Sequence, residues 1–103
     1  MMPSLSVGKD VIRETVRLAA LEVPGVLRVG RGGSRWRDVI GGSPIRVRVK
    51  DGRVDVTVWL VARPRQQLVP LTAQVRDAVG SAVVRLLGLE LGAVTILVDG
   101  VGG

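Results

Sequence analysis

The chain has 103 residues, 47% of them apolar, a formal net charge of +6, and neither cysteine nor histidine. That is enough apolar material for one core without metal or disulfide support; the missing residue types exclude a disulfide framework, thiol chemistry, the commonest general base and the commonest metal ligand. No apolar run reaches the length of a membrane-spanning helix, and the opening residues MMPSLSVGKD lack a basic region followed by an apolar one, so the chain reads as a single cytoplasmic domain over 1–103.

The first element is a helix. Asp10 is placed to cap it, and Ile12, Val16, Ala19, Ala20 and Val23 recur at spacings of three and four, giving one face for burial. VPGV (23–26) stops it, because Pro24 cannot continue the hydrogen-bond ladder and Gly25 readily turns left-handed. A short strand, VLRV (26–29), follows, and then the loop GRGGSRWRDVIGGSP over 30–44.

The segment 45–61, IRVRVKDGRVDVTVWLV, alternates apolar and polar residues on both sides of Asp51-Gly52, a favoured pair for a type I′ turn. A two-residue turn there sets Val49 against Val54, Val47 against Val56 and Ile45 against Val58, with Arg48 opposite Asp55 on the other surface. A slip by one residue would put the valine row in water, so the residues themselves fix this register. The outward row is Arg46, Arg48, Lys50, Arg53, Asp55, Thr57 and Trp59.

Pro70 then fits the first turn of a second helix, with an apolar stripe of Leu71, Val75, Ala78, Val79, Ala82, Val83 and Leu86 and an end at Gly88. Gly80 inside this helix costs about 1 kcal/mol relative to alanine and reads as simply tolerated, with close approach of another backbone as the alternative. The last strand is AVTILVDGV (93–101), with Val94, Ile96 and Val98 toward the core.

Two helices that are each apolar on one side are both satisfied by covering one face of a single sheet. The expected fold is therefore a two-layer α+β domain, order α-β-β-β-α-β, with both helices on one face of a small mixed sheet. The second helix serves as the crossover that makes the hairpin's second strand and the final strand parallel. The opposite sheet face stays open and carries Trp59 among arginines.

Catalysis finds little support in these residues. GRGGSR lacks the Gly-Lys-Ser/Thr ending of a phosphate loop and has Arg35 where a dinucleotide fingerprint needs glycine. Serine chemistry lacks a base, since Lys9 and Lys50 each sit beside a carboxylate in sequence. Asp10, Asp51 and Asp55 have capping, turn and cross-strand roles, and nothing in the spacing of Glu22, Glu90 and Asp99 brings them to one pocket. The chain is expected not to be an enzyme and to take no cofactor or metal.

Charge says more. Between Arg28 and Arg53 stand eight cations (Arg28, Arg31, Arg35, Arg37, Arg46, Arg48, Lys50 and Arg53) against Asp38 and Asp51, which accounts for the whole net charge of +6. A contiguous basic region favours an anionic partner, against the plainer alternative of a solvated basic surface. The partner-binding candidates are Arg31, Arg35, Trp36 and Arg37 in the loop and Arg46, Arg48 and Trp59 on the open face, because exposed tryptophan and arginine dominate protein contacts. Trp36 folded under the loop, or Trp59 covered by a terminus, are the structural alternatives. Nucleic acid is a rival partner, through arginine contacts to phosphate and stacking on Trp36 or Trp59, although sheet readers of RNA display two or three aromatics and this sheet displays one. Anionic lipid headgroups are a third class, without a basic amphipathic helix for deep insertion.

VIRETVRLAALEVPGV (11–26), the hairpin, and LGLELGAVTILVDGV (87–101) resemble, in order, the successive blocks of the alkaline shock protein family, also called the Gls general stress proteins. AALEVPGV and GLELGAVTILVDGV are the most specific pieces. The resemblance implies a small non-enzymatic protein of bacterial envelope stress that forms homo-oligomers and is held at the inner face of the membrane by a separate membrane-anchoring protein. The family has no known catalytic residues to carry over. After the hairpin this chain has ARPRQQLVPLTAQVRDAV, where such proteins have an aromatic-glycine turn and an acidic helix start, and its loop is richer in arginine.

Overall fold

The computed structural model describes residues 8–30 and 42–102. Its elements are α1 (Lys9–Leu21), β1 (Val26–Val29), β2 (Ile45–Lys50), β3 (Arg53–Ala62), α2 (Leu68–Ser81) continued by a π-helical turn over Ala82–Leu86, and β4 (Glu90–Val101). This is the expected α+β order, with the two helices on one face of an open four-stranded sheet.

The hairpin forms in the register its residues specify: Ile45 pairs with Val58, Val47 with Val56, Arg48 with Asp55 and Val49 with Val54. Asp51 and Gly52 both have positive φ, 53° and 76°, as a type I′ turn requires. Strand β3 is the centre of the sheet. Along one of its edges β2 and then β1 follow each other antiparallel, and along the other edge β4 runs parallel. The parallel pairing is the consequence of routing the chain through α2 between β3 and β4.

One face of β3 carries Val54, Val56, Val58 and Leu60, all 2% exposed or less, beneath Ile12, Val16 and Ala20 of α1 and Leu71, Val75 and Val79 of α2. Helical spacing of three and four places those residues on single stripes, and β-branched valines suit the pleated surface they cover. At the hairpin tip the cover ends, so Val49 is 52% exposed although it points to the apolar side.

Four local details differ from the sequence reading. Helix α1 is capped by Gly8, not Asp10; Asp10 sits in the first turn and accepts a 2.7 Å hydrogen bond from Arg13 Nη1. Leu86 is 76% exposed and off the stripe, because the π-helical turn is wider than an α-turn and shifts the phase of the residues after it. Gly80 is buried where a Cβ would lie 3.0 Å from Leu91 Cδ2, so a strand side chain, not another backbone, accounts for the glycine. Finally, Ile96 is buried, whereas Val94 and Val98 are only half-buried, since β4 lies at the edge of the sheet.

Candidate interaction surface

The open face is built by alternation. Every inward valine of β2 and β3 turns its neighbours outward, and the pairs Arg46–Thr57, Arg48–Asp55 and Lys50–Arg53 stand side by side on that face. Parallel pairing with β4 adds Thr95 beside Thr57 and Leu97 beside Trp59, while Arg28 of β1 sits opposite Val61. Arg46, Arg48, Lys50, Arg53 and Arg28 are all exposed, and Leu97 is 40% exposed.

Trp59 is half-buried at the middle of this surface. The Arg46 guanidinium lies over its ring, 5.3 Å from the centroid, a cation–π contact worth about 0.5–1 kcal/mol at an exposed site. The backbone of Trp59 also holds both ends of the loop: Gly30 N–H donates to its carbonyl and its own N–H donates to the Pro44 carbonyl, each at 2.9 Å. The chain therefore leaves the sheet where β1 ends and returns where β2 begins, at a single residue of β3.

The Arg48–Asp55 juxtaposition is present in register, yet the Asp55 carboxylate turns the other way. Its Oδ1 accepts the Ala93 N–H at 2.8 Å, beside the irregularity where β4 gains a residue relative to β3. An extra strand residue leaves a ladder donor unpaired, and Asp55 supplies the acceptor. The basic row on β2 is thereby left without that carboxylate as a counter-charge.

Of the candidates read from sequence, the structure brings Arg46, Arg48 and Trp59 together on one face. Arg31, Arg35, Trp36 and Arg37 lie outside the described residues. Two members of the surface were missed, Arg28 and Leu97; the alternation that sends Ile96 inward already implied Leu97 outward. A groove of about 510 Å³ between α1 and α2, with Leu18, Ala19, Ala82 and Leu86 in its lining, was also missed. Its exposed leucines lie off the periodic stripes from which the helices were recognised. Among the described residues no group of three or more acidic, histidine or cysteine side chains is placed to hold a metal ion, and no helix is long and apolar enough to cross a membrane.

These features define a two-layer α+β domain with one sheet face left open and basic. The chain belongs to the alkaline shock protein 23 family, described as having a cell envelope-related function, which it matches over residues 2–102. No curated protein matches it significantly. Among solved structures it is similar in fold to the MamM CTD: a cysteine-to-serine variant aligns at TM-score 0.58 and 16% identity over 89% of this chain and 95% of that one. An aspartate-to-histidine variant in its copper form aligns at TM-score 0.59 and 16% identity over 90% and 98%. At that identity the likeness concerns the backbone alone.

Proposed function

We propose that this domain is a non-enzymatic, self-associating scaffold of the bacterial envelope stress response, held at the inner face of the membrane by an anchoring protein that docks on the open sheet face. The observation that carries the reading is the Arg46–Trp59 stack at the centre of that face, flanked by exposed Arg48, Lys50 and Arg28. Arginine and tryptophan dominate the energetics of protein contacts, and a cluster of like charge selects an acidic partner and speeds encounter with it. Family membership supplies the link to the envelope.

The test compares wild-type protein with an R46E/R48E double variant. Both side chains are exposed, so thermal stability should change by no more than about 0.5 kcal/mol. Wild type is expected to self-associate and to co-sediment with membranes in a protease-sensitive manner; the variant keeps its fold and loses co-sedimentation. A wild type that is monomeric at high concentration and stays in the supernatant overturns the proposal. Binding to many unrelated nucleic-acid sequences, with affinity falling steeply as salt rises, replaces it with the nucleic-acid reading.

A further inference from the structure

The two long edges of the sheet are chemically unlike. On one, the outward residues of β2 are Arg46, Arg48 and Lys50, all exposed. Charged side chains on an edge strand are a common means of stopping strand addition, because a second strand would have to bury or confront them. On the other, β4 runs for 12 residues and pairs only with β3 among the described residues. From Leu91 to Val98 it carries no charge and no proline. Half of its backbone N–H and C=O groups point away from β3, and none of the usual protective devices stands along that stretch.

The side chains beside this edge are unfinished in the same sense. Leu91, Val94 and Val98 point to the apolar side of the sheet but are only half-buried, and Val84, in the π-helical turn above them, is 48% exposed. A groove of about 460 Å³ opens along the edge between α2 and β4, lined by Val84, Leu91, Gly92 and Val94 among others. An added strand would satisfy the free backbone groups, and its inward side chains would extend the apolar layer beneath Val84.

We infer that the occupant is a second copy of this chain, joined through β4 to β4 in antiparallel pairing about a two-fold axis, which turns two four-stranded sheets into one continuous eight-stranded sheet. The inference rests on the self-association proposed above and assigns its surface. Between its two irregularities β4 pairs regularly with β3 from Val94 to Val98, a segment whose middle residue is Ile96. Centring the two-fold there sets Ile96 against its own copy and Val94 against Val98 on the apolar side, with Thr95 against Leu97 on the open side. All three pairings are uncharged, as a self-complementary contact demands. The basic β2 edges then lie at the two outer ends of the joined sheet, where they prevent further growth, and the Arg46–Trp59 surfaces of both copies fall on one side.

The test uses the full chain. Light scattering and sedimentation give the association state of wild type and of T95K/L97K, which places on β4 the kind of charge β2 carries and sets lysines against each other in the pairing described. Because the chain has no cysteine, a T95C protein mixed with an L97C protein reports the register on oxidation. The expected results are a wild-type dimer, at least a tenfold weaker dimer for folded T95K/L97K, and cross-linking in the mixture well above that of either cysteine variant alone. A folded T95K/L97K variant that dimerises as tightly as wild type overturns the edge assignment and leaves self-association standing. A wild type that is monomeric throughout overturns both. Should T95K/L97K fail to fold, the cysteine mixture decides: no preferential cross-link in a dimeric sample rejects the edge.

Discussion

The two faces of β3 are separated by a single residue of spacing and have little else in common. Val54, Val56, Val58 and Leu60 are sealed beneath two helices, while Asp55, Thr57 and Trp59 share the other face with a row of exposed cations. Stability is concentrated on the first set and contact chemistry on the second. The strand can therefore change its partner-facing residues without disturbing the core, because neighbouring side chains point in opposite directions.

The contrast breaks most clearly from the inside. Leu60 is fully buried, so Leu60→Ala is expected to cost about 2–5 kcal/mol, from lost transfer energy plus the cavity left behind, read as a lower denaturant midpoint with an unchanged slope. An outward change of structural kind comes next. Asp55→Ala removes the acceptor of the Ala93 N–H and should cost about 1 kcal/mol, with hydrogen exchange at Ala93 accelerating more than at Val58. Asp55→Asn, which keeps an acceptor, should recover most of that loss.

The smallest effect belongs to the solvent side of α1. Arg17 Nε donates to Glu14 Oε2 at 3.1 Å, and this hydrogen bond, reinforced by the guanidinium charge, lowers the Glu14 pKa and raises that of Arg17. A carboxyl depressed on folding contributes stability above its unfolded value, about 4.3 for glutamate, and loses it as pH falls through the folded value. Glu14→Gln should thus lower thermal stability slightly at pH 7 and leave it unchanged in strong acid. A variant as stable as wild type at both pH values would show that water screens the pair completely.

How far the fold could be read from sequence depended on how local the deciding interactions are. The Asp51-Gly52 turn and the alternation around it set the hairpin register, and with it the open-face positions of Arg46, Arg48 and Trp59. The helix stripes were equally legible up to the π-helical turn, whose phase shift carries Leu86 out to solvent and leaves no mark in the apolar spacing. The half-cover of Val94 and Val98 follows from β4 being an edge strand, and strand order is decided by long-range packing. Asp55 looked like a partner for Arg48; that it serves β4 instead depends on an extra residue in a strand 38 positions away.

Both ends of the connection between β1 and β2 are tied to the backbone of Trp59, and the architecture is therefore indifferent to how long that connection is. Lengthening a closed loop costs only about 0.6 kcal/mol per doubling, and the anchoring bonds stay the same whatever is inserted. This corner of the domain is a natural graft site: new specificity can be spliced in by changing the insert, while the framework that displays it is inherited intact.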